Sequence, residues 1–152
     1  GLTGLAAGTF LSLSHFEKQE TTERDPARIE KHTVHEKVNV FADRNMIETA
    51  TRNLISNAIK FTNDGGTITL GCKINGNFAE LYVKDNGVGI PIEDQDRLFK
   101  IEKQFSTEGT NYEKGTGFGL LLCKELVEKN CGTIKFISEK DKGSTFIISL
   151  PY

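Results

Sequence analysis

Two asparagines and a lysine recur at helical spacing in the segment NLISNAIKFT, residues 53–62. Asn53, Asn57 and Lys60 are four and three residues apart, so on a helix they share one face. Amide oxygens can ligate a hard cation, and an ammonium group can hold a phosphate oxygen. Magnesium commonly takes few protein ligands and completes its shell with water and substrate phosphates. The segment is therefore either a magnesium-phosphate site or an ordinary polar helix face.

A second candidate is the loop DNGVGIP, residues 85–91, which follows a hydrophobic stretch. Asp85 stands at the end of a predicted strand, and two glycines follow it within four residues. A carboxylate at the rim of an apolar pocket can accept a hydrogen bond from an exocyclic amine such as that of adenine. Glycines let the backbone approach a planar ligand closely. The alternative is an Asp-Asn-Gly turn that only closes a strand.

Two further glycine segments lie near the C-terminus. GTGFGL, residues 115–120, opens a predicted helix, where backbone amides favour anions such as phosphate. A polar loop rather than a strand precedes it, so it is not a Rossmann fingerprint, and the chain has no Walker A sequence. GSTF, residues 143–146, is a glycine turn that leads into the last predicted strand. Each segment alone is a weak indication of function.

Taken together and in this order, the four segments resemble the catalytic and ATP-binding domain of sensor histidine kinases. This domain belongs to the wider gyrase, Hsp90, histidine kinase and MutL superfamily. NLISNAIKFT resembles its N box, DNGVGIP its G1 box, GTGFGL its G2 box and GSTF its G3 box. The resemblance covers about residues 33–151. It implies the Bergerat fold, in which ATP and magnesium (Mg2+) bind between a helix and a lid.

The resemblance implies a role for each matching residue. Asn57 would bind magnesium, Asn53 would support the metal and the phosphates, and Lys60 would contact the phosphate end of ATP. These three residues are the catalytic candidates, and Asp85 would bind the adenine amino group. The nucleotide-binding candidates are Asn57, Asp85, Gly87, Gly89, Ile90, Thr110, Lys114, Gly115, Thr116, Gly117, Phe118, Gly119, Leu120 and Thr145.

The polar segment 92–114 is predicted to be an irregular lid, because a loop of this length inside a compact domain is usually functional. Arg97, with Thr110 and Lys114, is a further phosphate candidate in it. Phe99 and Phe105 resemble the F box of the family, or else serve to pack the lid onto the domain.

One departure from the wider superfamily concerns the reaction. In ATPases such as Hsp90, a glutamate four residues before the metal-binding asparagine activates water, whereas this chain has Asn53 there. An amide cannot serve as a general base. The resemblance therefore implies phosphoryl transfer to another nucleophile, achieved by positioning and charge neutralisation, rather than hydrolysis. In sensor kinases that nucleophile is a histidine on a separate helical dimerisation domain.

None of the three histidines matches this acceptor. His15 lies in SHFEKQ, which lacks the Arg and Pro of the family motif SH[DE]xRxP, and it is too close to Asn57 for an intervening helical hairpin. His32 and His35 are expected in strands. The implied partners are ATP, a histidine-containing dimerisation domain and the receiver domain of a response regulator. The alternatives are a nucleotide- or protein-binding module without phosphotransfer, and a superfamily ATPase, which Asn53 disfavours.

These segments need a scaffold, and hydrophobic periodicity predicts one. Asp43 is expected to cap the first helix, Asp64-Gly65-Gly66 to end it, and Asn75-Gly76 to turn a hairpin. Because adjacent strands joined by tight turns pair antiparallel, the fold class is α+β. It is a two-layer α/β sandwich with a mostly antiparallel mixed sheet and helices on one face. The predicted helices are 44–62 and 118–130, and the predicted strands are two within 33–42, then 67–73, 78–84, 133–138 and 144–149.

Residues 1–30 are predicted to be a linker or the remnant of an upstream element, and 31–152 the catalytic domain. A short helix beginning near Pro26, capped by Asp25, is an alternative for part of the linker. The chain begins with Gly1, which indicates a piece of a longer protein.

Composition supports a soluble, globular domain: 37% of the 152 residues are hydrophobic and 26% are charged. The resemblance to sensor histidine kinases implies that this domain lies in the cytoplasm. A net charge of -2 argues against binding to nucleic acid or to an anionic membrane. No apolar run approaches the roughly 20 residues that span a bilayer. Three cysteines without CxxC spacing, Cys72, Cys123 and Cys131, are expected to be core residues. Cys131 stands where the family usually has glycine, so a less left-handed helix end is expected there.

Overall fold

The computed structural model describes residues 9–12, 28–33, 39–100 and 119–152. These residues form seven strands and three helices, described here in chain order. The elements are β1 (Thr9–Ser12), β2 (Arg28–Thr33), β3 (Asn39–Ala42), α1 (Arg44–Phe61), β4 (Thr67–Asn75), β5 (Phe78–Asp85), α2 (Ile92–Gln95), α3 (Gly119–Lys129), β6 (Thr133–Glu139) and β7 (Gly143–Pro151).

The main sheet has five strands in the order β2-β4-β5-β7-β6. β2 runs parallel to β4, and the other neighbours are antiparallel. β1 and β3 form a separate antiparallel pair. The predicted mixed and mostly antiparallel sheet is therefore confirmed. The β4–β5 hairpin is also confirmed, with Gly76 at φ 60 as the first residue of its two-residue turn.

Both long helices cover one face of this sheet. The apolar stripe of α1, including Ile47 and Leu54, is buried together with the alternate residues of β5 and β7. α3 adds Cys123 and Val127 to the same core. At the start of α1, Oδ1 of Asp43 accepts a hydrogen bond from the Met46 amide at 3.0 Å, which confirms the predicted N-cap.

The end of α1 differs from the prediction. The helix ends at Phe61, and its C-cap is Thr62 in an extended conformation, with φ -100 and ψ 130. Buried Thr62 donates its hydroxyl to the Ala58 carbonyl at 2.6 Å. Gly65, at φ 81, serves the following turn, in which the Gly66 amide bonds the Asn63 carbonyl at 2.9 Å. The glycines therefore turn the chain into β4 and do not cap the helix.

The N-terminal part of the chain also differs from the prediction. Residues 28–33 form strand β2, so the short helix predicted from Pro26 is wrong. Pairing with the edge of β4 supplies main-chain hydrogen bonds that the local pattern of charges does not reveal. His32 lies in this strand, as predicted, whereas His15 and His35 lie outside the described residues. No helix of the described residues is long and apolar enough to cross a membrane.

α3 ends in a Schellman motif. The Gly132 amide bonds the Val127 carbonyl and the Cys131 amide bonds the Glu128 carbonyl, both at 3.0 Å. This motif requires a left-handed residue at position 131, and Cys131 adopts it with φ 59. The expectation of a less left-handed end is therefore wrong, because the hydrogen-bond geometry outweighs the preference of the side chain. Cys131 is also exposed, whereas Cys72 and Cys123 are buried as expected.

Replacing Cys131 with glycine should stabilise the fold by up to about 1 kcal/mol, because a left-handed conformation strains a residue that has a Cβ. Cys131→Ala is the matched control, since it removes the thiol but keeps the Cβ. Urea unfolding followed by far-UV circular dichroism measures the difference. Equal stability of the two variants would contradict backbone strain at this position.

Candidate functional site

The C-terminal end of α1 joins the N-box segment to the DNGVGIP loop. The Phe61 carbonyl accepts a hydrogen bond from the Val88 amide at 3.0 Å. Gly87 packs directly on the same carbonyl, and a Cβ there would overlap it. Asn57 and Asn53 precede Phe61 by one and two helical turns on the same side of α1. Two segments that are distant in sequence therefore form one continuous surface.

Asp85 ends β5 and is only 7% exposed. Its Oδ1 accepts hydrogen bonds from the Gly87 amide at 2.9 Å and the Ser144 amide at 3.3 Å. Within the residues that the structure describes, no hydrogen bond reaches the other carboxylate oxygen, Oδ2. The same residues include no fully buried side-chain oxygen that lacks a partner, so Oδ2 is not fully buried. Oδ2 is therefore the oxygen accessible to a ligand. Burial raises the pKa of Asp85, and the two amide hydrogen bonds oppose that rise.

The β6–β7 hairpin supports this loop from the other side. The Asp141 amide bonds the Val88 carbonyl at 2.7 Å, and the Ile90 amide bonds Oγ of Ser138 at 2.8 Å. Gly89, at φ 66, lies against the Glu139 carbonyl with no room for a Cβ. The structure therefore brings the GSTF turn beside the DNGVGIP loop, as the combined motifs predict.

Thr145 is not beside the Asp85 carboxylate. It pairs with Lys84, and strand alternation puts both side chains on the sheet face opposite to that of Asp85. The residue paired with Asp85 is Ser144, which is buried on the helix-covered face. Motif matching missed Ser144 because its place beside Asp85 depends on the pairing register of β5 and β7, which the local sequence does not specify.

Asn53 contacts α3. Its side chain lies beside the Cys123 thiol, which donates to the Ala50 carbonyl at 3.3 Å. Burial raises the pKa of Cys123 to about 11, and the neighbouring Asn53 side chain opposes that rise. The thiol therefore stays protonated at neutral pH.

Asn57 and Lys60 are half-buried on the same helix. The Lys60 ammonium lies 4.9 Å from the centroid of the Phe61 ring. The described residues include no group of three or more His, Cys, Asp or Glu that could hold a metal. A metal at this site would therefore rely on amide oxygens and on its ligand.

The start of the predicted lid is ordered rather than irregular. It forms the one-turn helix α2, in which acidic residues occupy the first turn. Leu98 is buried, and the Phe99 ring packs 5.8 Å from that of Phe136. Gly119 begins α3, and Leu120 packs against the core. The predicted residues Phe105, Thr110, Lys114, Gly115, Thr116, Gly117 and Phe118 lie outside the described residues.

Solved structures share this fold. The catalytic domain of histidine kinase ThkA is 26% identical and superposes with a TM-score of 0.77, covering 95% of each chain. A mycobacterial sensor histidine kinase, MprB, is also 26% identical, with a TM-score of 0.69 over 84% of this chain and 83% of that one.

Two curated relatives are similar to this chain in sequence. The adaptive-response sensory kinase SasA of Prochlorococcus marinus is 37% identical over 114 residues, which are 74% of this chain and 30% of SasA. The sensor protein SrrB of Staphylococcus aureus is 38% identical over 109 residues, which are 72% of this chain and 19% of SrrB. This chain therefore spans less than a third of either relative.

A family model described as histidine kinase-, DNA gyrase B- and HSP90-like ATPase matches residues 42–152. The matched range includes the helix that carries the asparagines, the Asp85 loop and the β6–β7 hairpin. The chain therefore belongs to the family of histidine kinase-, DNA gyrase B- and HSP90-like ATPases.

Proposed function

We propose that this chain is the Mg-ATP-binding catalytic domain of a two-component sensor histidine kinase. It transfers the γ-phosphoryl group of ATP to a histidine on a separate dimerisation domain, from which a response-regulator receiver domain takes it. The domain works in the cytoplasm. The observation that carries the proposal is the buried Asp85 carboxylate, held through Oδ1 and open at Oδ2, beside the helix that bears Asn53 and Asn57.

The base of ATP is held by Asp85. Oδ2 accepts a hydrogen bond from the exocyclic amine of adenine, and the glycine backbone at Gly87 and Gly89 forms the adjoining wall. Because Oδ1 is already held by two amides, the carboxylate needs no reorganisation when the base enters.

The phosphates run along α1 towards α3. The donor set there fits magnesium, which accepts one or two amide oxygens when phosphates supply further ligands. Asn57 would hold the ion. Asn53, whose side chain lies beside the Cys123 thiol of α3, would bind the metal or its water through its amide oxygen. When bound, magnesium would neutralise phosphate charge, with Lys60 beside it.

Calorimetric titration with a non-hydrolysable ATP analogue tests the binding step. We expect saturable binding that weakens when magnesium is removed. Asn57→Ala should abolish the magnesium-dependent part, a loss of about tenfold. Ser56→Ala, an exposed change on the same helix, is the matched control and should bind as the parent does. Absence of binding by a folded chain would contradict the proposal and favour a protein-binding module.

Incubation with labelled Mg-ATP and a histidine-containing dimerisation domain tests the transfer step. Acid-labile label on the added domain, and little phosphate release by the chain alone, are expected because Asn53 replaces the water-activating carboxylate. Binding without transfer would favour a nucleotide-binding module. Steady phosphate release by the chain alone would favour an ATPase.

A further inference from the structure

Three polar residues lie in a row across neighbouring strands at the base of the site. Asp85 on β5 pairs with Ser144 on β7, and Ser144 pairs with Ser138 on β6. Paired residues of antiparallel strands point to the same face of the sheet, so the three side chains are neighbours on the helix-covered face. Ser144 therefore stands between Ser138 and the carboxylate.

The hydroxyl of Ser138 has three partners. It accepts a hydrogen bond from the Ile90 amide at 2.8 Å and donates to the Gly143 carbonyl at 3.1 Å. Its third partner is Oγ of Ser144, at 2.7 Å. A hydroxyl has one proton and two acceptor sites, so these partners use its full capacity.

Either hydroxyl has the geometry to donate in the Ser138–Ser144 pair. The Gly143 carbonyl can only accept, so with the single Ser138 proton assigned to it, the proton between the two hydroxyls comes from Ser144. Ser144 then has no proton left for a ligand, and its Oγ can only accept. Ser138 thus controls the hydrogen-bonding character of the group next to Asp85.

We propose that Ser138 is a positioning residue that determines base specificity by holding Ser144 as an acceptor beside the Asp85 carboxylate. The inference rests on the proposed function, since it concerns the base of the nucleotide bound there. Two adjacent acceptors favour a ligand edge that donates, as the amine of adenine does directly or through water. They disfavour a carbonyl in the same place, as in hypoxanthine or guanine.

The affinities for ATP and for inosine triphosphate, whose base carries a carbonyl in place of the amine, test this role. In Ser138→Ala the Ser144 proton is released and can be donated to the carbonyl. The ratio of the two dissociation constants should therefore shift towards inosine triphosphate by about three- to tenfold. Ser138→Thr keeps the hydroxyl and should restore the ratio of the parent.

Gln95→Ala is the control for loosening of the loop. The Gln95 side-chain amide bonds the Ile90 carbonyl at 2.9 Å and the Ser138 carbonyl at 3.1 Å, so its loss disturbs the same backbone without touching the hydroxyls. It should weaken both nucleotides equally and leave the ratio unchanged. A double-mutant cycle adds a second criterion: in a Ser144→Ala background, Ser138→Ala should no longer alter the ratio.

The outcomes separate the two proposals. A parent chain that discriminates between the nucleotides, with an unchanged ratio in Ser138→Ala, would overturn the role of Ser138 and leave the proposed function standing. If Ser138→Ala still changes the ratio in the Ser144→Ala background, the role of Ser138 is also overturned. A folded parent that binds neither nucleotide would overturn both.

Discussion

Replacing Asp85 with asparagine should weaken ATP binding by about 100-fold while the fold remains intact. The reason lies in how the carboxylate is held. Oδ1 accepts from the Gly87 and Ser144 amides, so the asparagine must place its own oxygen there and its NH2 group where Oδ2 stood. A donor then faces the amine of adenine, which is also a donor, and an attractive contact becomes a repulsive one.

The same geometry predicts that Asp85→Asn changes which nucleotide the chain prefers. The NH2 group of the variant can donate to a carbonyl, so Asp85→Asn should bind inosine triphosphate better than ATP. Titration of parent and variant with both nucleotides measures this directly. Equal ATP affinity of parent and variant would show that Asp85 does not bind the base. Equal loss of both affinities would indicate damage to the pocket rather than exchange of a donor for an acceptor.

Stability should not fall in this variant. Burial raises the pKa of Asp85 in the folded state, so the folded chain binds a proton more readily than the unfolded chain. Above the raised pKa both states are ionised, and holding this buried charge costs stability. The cost decreases as the pH falls through the raised pKa and is gone below the pKa of the unfolded chain, whereas asparagine removes it at every pH. Urea unfolding of Asp85→Asn at pH 7 should therefore show equal or greater stability than the parent.

Replacing Gly89 with alanine should destabilise the fold by about 3 kcal/mol or more, from two separate causes. The φ of 66 costs a residue with a Cβ about 1–2 kcal/mol. The new methyl group would also overlap the Glu139 carbonyl, and overpacking of this kind typically costs a further 1–3 kcal/mol. Separation of loop and hairpin would break the Asp141–Val88 hydrogen bond and displace Asp85, so ATP binding should also be lost.

Gly65→Ala separates these causes. Gly65 has a similar φ of 81, but a Cβ there would meet no atom within 4 Å. Its destabilisation in urea should be about 1–2 kcal/mol, because it has only the backbone cost. The difference between the two variants then measures the packing of the DNGVGIP loop on the hairpin. Equal effects would mean that the loop and hairpin move apart at no cost.

Much of the fold follows from local patterns. The stripe of Ile47, Ala50, Leu54 and Ala58 predicted α1 and its buried face, and Asp43 predicted its first residue. The strands from β4 onward were predicted to within two residues at either end, because alternation and turn glycines mark them. Most of strand β2 was missed, because its partner, β4, lies more than thirty residues further along the chain.

The candidate site, too, was predictable from the sequence only in part. The sequence by itself determined the family, the helical spacing of Asn53 and Asn57, and the strand-end position of Asp85, since all three depend on residue types and short spacings. Only the tertiary structure decided which oxygen of Asp85 is open and that Ser144, not Thr145, stands beside it. Those facts depend on register and hydrogen bonds between strands and loops distant in sequence, which no local pattern specifies.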